Sequence, residues 1–199
     1  MEEITLINLS SIPTYLINLE DATERLQGAT AILNGINQPF TRFEGLRHQV
    51  GVIGCGLSHL KLLNEAQSPI FILEDDIECT KHLKEKIIIP SDADAIYLGV
   101  SNHGYVRNNV YGFRGTVLAS RHSNDYLRVL NMCSTHAIIY LSEKYIEACR
   151  SVISSCLSKG IAFDVGLASI HRHFNILTPN DPWFYQKGQP EYTNFSLQV

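Results

Sequence analysis

Short apolar runs alternate with helix-like segments along the first half of the chain. Residues 13–19 form a β-prone run, and Leu26, Ala29 and Leu33 then recur at the spacing of one helix face. A further apolar run at residues 69–73 lacks polar positions, which is typical of a strand buried on both faces of a parallel sheet. The pattern predicts an α/β fold with a mostly parallel central sheet flanked by helices.

Capping residues and glycines set the predicted starts of the first two helices. Asp21 with Glu24 three residues later resembles a capping box, which would begin the first helix. Gly54 and Gly56 are interpreted as part of a tight turn that precedes a second helix at residues 57–66.

The second half of the chain repeats the succession of strand and helix. Residues 95–100 and 135–141 are predicted strands, and Ser142 is the expected N-cap of a long amphipathic helix that Gly160 ends. Beyond residue 179 the chain has no sustained period. The sequence therefore predicts a tail that drapes over the domain or stays partly mobile.

Composition favours one folded domain over residues 1–199. Apolar residues make up 45% of the 199 positions and charged residues 18%, which is enough apolar surface for one core without disulfides. The five cysteines form no C-x-x-C pair and are expected to be reduced. The net charge of -4 gives no electrostatic reason to bind nucleic acid, so no nucleic-acid partner is expected.

The chain shows no signal for export or membrane insertion. Its N-terminus has no basic segment ahead of an apolar stretch, and no run approaches the ~18 apolar residues that a membrane-spanning helix needs. We therefore expect a cytoplasmic protein with at most peripheral membrane contact. The adjacent aromatics at residues 183–185 are consistent with stacking on a sugar or touching a membrane, and equally with packing onto the core.

Three consecutive carboxylates, Glu74, Asp75 and Asp76, follow the apolar run at residues 69–73. Like charges held this close destabilise one another unless a positive charge compensates them, and a divalent cation such as Mn²⁺ or Mg²⁺ does so with hard oxygen ligands. On an extended backbone Glu74 and Asp76 would share a face while Asp75 turns away. The alternative is a solvated acidic turn that caps the next segment.

Three motifs in order resemble glycosyltransferase family 25, which includes lipooligosaccharide galactosyltransferases and collagen β-galactosyltransferases. They are Tyr-Leu-Ile-Asn-Leu at residues 15–19 with Arg25 after it, Gly-Cys-Gly-Leu-Ser-His at residues 54–59, and Phe-Ile-Leu-Glu-Asp-Asp at residues 71–76. With a further block at residues 135–142, the resemblance covers most of residues 13–187 and leaves a C-terminal tail at residues 188–199.

The resemblance implies a GT-A type fold and an inverting transfer of a hexose, galactose or glucose, from a UDP-sugar donor to a glycan or glycolipid acceptor, as in lipopolysaccharide biosynthesis. It implies that Glu74 and Asp76 match an acidic motif of the D-x-D kind that holds Mn²⁺ or Mg²⁺ against the donor diphosphate. Asp164 matches the aspartate that family members carry after the long helix, which makes it the candidate base. Its alternative role is the N-cap of a helix at residues 165–170.

The residues expected to contact the nucleotide-sugar share a position at strand ends or helix starts near the acidic motif. Four of them have an ordinary alternative: a turn for the asparagine, an exposed helix position for the arginine, a tight strand-to-helix turn for the glycine, and burial against the sheet for the histidine. The set is Asn18, Arg25, Gly54, Ser58, His59 and Asp75.

Two other functions use the same acids. One is a metal-dependent phosphohydrolase, and the other is a non-catalytic module that binds a nucleotide or a glycan with a decayed transferase site. A histidine is a common further metal ligand in GT-A enzymes, and His136, His171 and His173 are candidates among which the sequence does not choose.

Overall fold

The computed structural model describes residues 4–105 and 115–188. In chain order its strands are β1 (Ile4–Asn8), β2 (Thr14–Asn18), β3 (Thr41–Glu44), β4 (Ile70–Glu74), β5 (Ile77–Cys79), β6 (Lys86–Pro90), β7 (Ala95–Tyr97), β8 (Leu118–Arg121), β9 (Tyr126–Asn131), β10 (Ala137–Tyr140), β11 (Ile176–Pro179) and β12 (Phe184–Gln186). Its helices are α1 (Thr23–Gly35), α2 (Gly51–Glu65), α3 (Glu143–Ser158) and α4 (Phe163–Ile170), with 3₁₀ turns at Leu9–Ser11 and His171–His173.

Eight strands form the central sheet in the order β3-β2-β4-β10-β7-β11-β9-β8. β2 is parallel to both β3 and β4, and β7 is parallel to β11, whereas β10 and β9 run antiparallel to their neighbours. Six of the eight strands therefore point in one direction. The prediction of an α/β fold with a mostly parallel sheet flanked by helices is confirmed. Two smaller pairs, β1 with β6 and β12 with β5, lie outside this sheet.

The central strands are buried on both faces, which explains their uninterrupted apolar runs. Along β4, Ile70 and Ile72 belong to a core that includes side chains of α2, α3 and α4. Phe71 and Leu73 belong to a second core that α1 helps to form on the other face. Because successive side chains of a strand alternate between faces, a strand between two helical layers needs apolar residues at every position.

Both predicted helix starts differ from the structure. α1 has Ala22 as its N-cap with no side-chain cap, so Asp21 does not form a capping box and instead pairs with Arg47. α2 begins at Gly51, which places Gly54 and Gly56 inside the helix and not in a turn. The reason is close packing: a Cβ on Gly54 would lie 2.5 Å from the backbone oxygen of Leu46.

The third helix follows its prediction. The hydroxyl of Ser142 accepts a hydrogen bond from the amide of Tyr145, as an N-cap does, and the helix is followed by Gly160 at a φ of 65°. None of the helices in the described part of the chain is both long and apolar enough to cross a membrane.

The predicted tail is structured as far as the structure describes it. β11 pairs with β7 and β9, and β12 pairs with β5. Trp183 and Phe184 are buried, so these two aromatics pack onto the core and are not available to a sugar or a membrane. The rest of the predicted tail, residues 189–199, lies outside the described residues.

We predict that Gly54→Ala destabilises the protein by about 1–3 kcal/mol, because the new methyl group meets a backbone atom that cannot rotate away. Gly28→Ala in α1 is the matched control, since a Cβ there meets nothing within 4 Å. The control should raise the free energy of unfolding by roughly 0.5–1 kcal/mol. Urea denaturation measures both, and equal stabilities of the two variants would contradict the packing argument.

Candidate functional site

A cavity of about 500 Å³ opens at the carboxyl ends of β2 and β4. The two strands are parallel neighbours, and Ile17 pairs with Glu74 in register. Ligand sites in open α/β sheets form at such edges, because the loops that follow parallel strands meet there. Most of the candidate site residues line this cavity: Asn18, Arg25, Gly54, Ser58, Glu74, Asp75, Asp76 and Asp164.

The acidic motif forms the end of a strand and the turn after it. β4 ends at Glu74, and Asp75 and Asp76 form a turn before β5. The alternation of side chains holds only along a strand, so it stops at Glu74. Asp75, which was expected to turn away from the other two acids, therefore lines the same cavity as Glu74 and Asp76.

Asp75 is held by neighbours on both of its carboxylate oxygens. Nδ2 of Asn18 donates to Oδ2 at 2.7 Å, and a guanidinium nitrogen of Arg25 donates to Oδ1 at 3.3 Å. Arg42 in turn donates from Nε to Oδ1 of Asn18 at 2.9 Å. Arg25 and the amide of Asn18 thus hold Asp75 at the end of β2, and Arg42 fixes the orientation of that amide.

Glu74 is ionised and locked in orientation. Nε2 of His59 lies 3.0 Å from Oε1, and the hydroxyl of Thr135 donates to the same oxygen at 2.6 Å. Burial opposes ionisation, but the hydrogen bond and the favourable electrostatic interaction with His59 outweigh it and lower the pKa of Glu74 to about 2. His59 is fully buried beneath the carboxylate and does not line the cavity, so it contacts Glu74 and not the space a donor would occupy.

The turn holds two carboxylates, those of Asp75 and Asp76. Among the described residues, only that of Asp76 has an oxygen without a hydrogen-bond partner. Nε2 of Gln186 donates to Oδ2 at 3.3 Å, whereas Oδ1 is buried and has no partner among the residues that the structure describes. Burial and the nearby charge of Glu74 raise the pKa of Asp76 to about 7. An ionised Glu74 beside a carboxylate with an unsatisfied buried oxygen is an arrangement that a divalent cation would stabilise.

Asp164 reaches the same cavity from the first turn of α4. The N-cap of α4 is Ala162, so Asp164 is not the cap, although its Oδ1 accepts a hydrogen bond from the amide of Val165 at 2.8 Å. Burial raises the pKa of Asp164 to about 6. A carboxyl group with such a pKa can take up and release a proton near neutral pH.

Ser58 stabilises the loop that borders the cavity. Its hydroxyl donates to the carbonyl of Gly54 at 2.8 Å and accepts from the amide of Leu46 at 2.8 Å. Both contacts are internal to the loop between β3 and α2 and to the first turns of α2. Ser58 therefore shapes the wall of the cavity through Gly54 and Leu46.

Several residues that line the cavity were not predicted from the sequence. Arg47 and His48 lie on the loop before α2, Thr135 lies just before β10, and Gln186 ends β12. Each comes from a segment distant in sequence from the acidic motif, and only the sheet topology brings them together. The resemblance at residues 135–142 is the one signal that included Thr135.

The fold and the cavity together describe an α/β protein with an acid-lined cavity at the carboxyl edge of its sheet. Comparison with protein-family models and with curated proteins finds no match. Among solved structures the chain is similar to CTP:phosphocholine cytidylyltransferase from Streptococcus pneumoniae, with a TM-score of 0.44 and 7% sequence identity over 90% of this chain and 93% of that one. A likeness of this size carries no argument about activity.

The raised pKa of Asp76 predicts how the cation-free protein responds to pH. Because the folded chain holds this proton until about pH 7 and the unfolded chain releases it near pH 3.8, the contribution of Asp76 to stability falls as pH rises between those values. Asp76→Asn removes that loss. In a chelating buffer at pH 8 we expect the variant to be more stable than the wild type by on the order of 2 kcal/mol.

Thermal and urea unfolding in a chelating buffer measure this difference. Asp181→Asn is the matched control, because the Asp181 side chain is 69% exposed and its replacement should leave the free energy of unfolding nearly unchanged. A variant Asp76→Asn that is less stable than the wild type at pH 8 would contradict the charge argument.

Proposed function

We propose that the protein is an inverting, metal-dependent glycosyltransferase that moves a hexose, galactose or glucose, from a UDP-sugar to a hydroxyl of a glycan or glycolipid acceptor. The observation that carries the proposal is the buried Oδ1 of Asp76, without a partner in the described part of the chain, beside the ionised Glu74 in a cavity at a parallel strand edge. The resemblance of residues 15–19, 54–59 and 71–76 to glycosyltransferase family 25 supports this reaction.

The donor atoms at the acidic turn fit a hard divalent cation. Glu74 and Asp76 offer carboxylate oxygens, which Mn²⁺ and Mg²⁺ prefer, and burial together with the charge of Glu74 raises the pKa of Asp76. Glu74 and Asp76 would hold the ion. When bound, such an ion supplies electrostatic stabilisation of the negative charge that develops on the leaving diphosphate.

Cationic side chains at the rim suit the diphosphate of the donor. Arg25 and Arg47 line the cavity with side chains that are 55% and 64% exposed. Guanidinium groups form short, charge-assisted hydrogen bonds with phosphate oxygens. Asp75 contacts Arg25, so we assign Asp75 the task of orienting this arginine toward the donor.

Asp164 is the proposed base. In an inverting transfer the acceptor oxygen forms a bond to the anomeric carbon while the bond from that carbon to the diphosphate oxygen breaks, and the diphosphate leaves with the electron pair. The proton of the acceptor hydroxyl passes to a carboxylate. Asp164 lines the cavity, and its pKa of about 6 leaves it ionised at neutral pH with useful basicity.

Calorimetric titration with UDP tests the donor site. We expect UDP to bind in the presence of Mn²⁺ and to bind more weakly in a chelating buffer, because the ion joins the carboxylates of the protein to the diphosphate. Asp76→Asn should abolish the dependence on Mn²⁺, whereas Asp181→Asn should retain it.

The binding module and the phosphohydrolase, the two alternative functions, give different results in this titration and in two activity assays. Failure of UDP to bind with and without Mn²⁺ would refute the transferase proposal. Metal-dependent binding without transfer across a panel of nucleotide sugars and acceptors would favour a binding module. Phosphate release from simple phosphate esters in the absence of a nucleotide sugar would favour a phosphohydrolase.

Asp164 should affect the rate of transfer and not the affinity for UDP. Asp164→Asn keeps the oxygen that accepts from Val165 and removes the basic carboxylate, so kcat should fall roughly 10²–10⁴-fold while UDP affinity stays near that of the wild type. In the wild type, kcat should rise with pH through about 6, since Asp164 must be ionised to act. A kcat that changes by less than about threefold would remove Asp164 from the mechanism.

A further inference from the structure

A thiol, an imidazole and a carboxylate meet between α2 and the end of β4, beneath the cavity. One ligand atom from each of Cys55, His59 and Glu74 lies within 4.8 Å of the other two. Cys55 and His59 are four residues apart in α2, a spacing that puts both side chains on one helix face, and Glu74 ends β4 opposite that face. This set differs from the pair of acids at the turn because it includes sulfur and nitrogen.

Of the three side chains, the imidazole is incompletely hydrogen-bonded within the described part of the chain. His59 is fully buried, and its Nδ1 has no partner among the residues that the structure describes. Its Nε2 shares a hydrogen bond with Oε1 of Glu74 at 3.0 Å. Cys55 is half-buried, lines the cavity and lies near Glu74 and other acids, so burial and these charges keep its thiol protonated and raise its pKa.

We propose that Cys55, His59 and Glu74 form a binding site for Zn²⁺, with the fourth coordination position facing the cavity. Zn²⁺ favours tetrahedral sites built from thiolate, imidazole and carboxylate, with bonds of about 2.0–2.3 Å. A tetrahedron of that size separates its ligand atoms by roughly 3.3–3.8 Å, which the present separations allow after small side-chain shifts. Binding releases the thiol proton of Cys55 to solvent, and His59 binds the ion through a ring nitrogen that carries no proton.

The choice of Zn²⁺ over Mn²⁺ or Mg²⁺ follows from the donor atoms. Thiolate and imidazole select borderline-soft ions, whereas Mn²⁺ and Mg²⁺ prefer oxygen. Glu74 is a ligand in the proposed Mn²⁺ site and in the proposed Zn²⁺ site. Because one carboxylate cannot serve both ions fully, Zn²⁺ should compete with Mn²⁺ for it. The Zn²⁺ site rests on its donor atoms alone and does not depend on the transferase reaction.

Co²⁺ is the spectroscopic probe for this site, because a thiolate ligand gives Co²⁺ an intense near-ultraviolet charge-transfer absorption that oxygen ligands do not give. Titration of the full chain with Co²⁺ should develop this absorption at one equivalent, and Zn²⁺ should bleach it. Cys55→Ser should abolish the band. Cys79→Ser is the matched control, because Cys79 is an exposed free cysteine outside the cluster, and it should keep the band.

Zinc affinity gives the quantitative test. Loss of a metal ligand should weaken Zn²⁺ binding to Cys55→Ser by more than about 100-fold, since even loss of an outer partner costs 10–100-fold. X-ray absorption at the zinc edge of the wild type loaded with one equivalent of Zn²⁺ is a readout that needs no variant, and it should show one sulfur ligand at about 2.3 Å. No thiolate band in the wild type, a band that persists in Cys55→Ser, or a zinc edge without a sulfur ligand would each overturn the proposal.

Discussion

The repulsion between three adjacent carboxylates is the constraint around which the edge of the sheet is built. Partly buried carboxylates need hydrogen bonds or opposite charge, and the structure supplies these unequally. Asp75 receives Asn18 and Arg25, and Glu74 receives His59 with Thr135. Asp76 retains a buried oxygen without a partner in the described ranges, and its pKa is raised accordingly. Of the three carboxylates, that of Asp76 is therefore the least compensated by neighbouring groups.

The topology determines which side chains reach that point. The parallel register of β2 and β4 sets Asn18 beside the acidic turn, and α2, which packs under the same edge, brings His59 beneath Glu74. The late strand β12 pairs with β5 and delivers Gln186 to Asp76. The site therefore depends on β2, β4, α2 and the separate pair of β12 with β5, and not on the acidic motif alone.

Local sequence patterns were sufficient to predict the strands and helices whose faces are buried. The apolar run at residues 69–73 predicted β4 because a strand covered on both faces must be apolar throughout, and Ser142 predicted the start of α3 because its cap is a contact three residues away. Long-range contacts left no local signal. The three-residue strands β5 and β12 depend on each other, and the glycine at position 54 depends on the carbonyl of Leu46. The orientation expected for Asp75 assumed that β4 continues through the acidic motif, but the strand ends at Glu74, and the sequence does not fix the end of a strand to one residue.

We propose that the acidic turn binds a cation and is not merely a solvated turn. Electron paramagnetic resonance of Mn²⁺ tests it most directly, because the signal of free aqueous Mn²⁺ disappears when the ion binds. With UDP present, correcting for the Mn²⁺ that UDP binds alone, we expect the wild type to remove one equivalent of free Mn²⁺ and Asp76→Asn to remove none. A wild type that leaves the free signal unchanged, or a variant that binds Mn²⁺ equally well, would contradict the account.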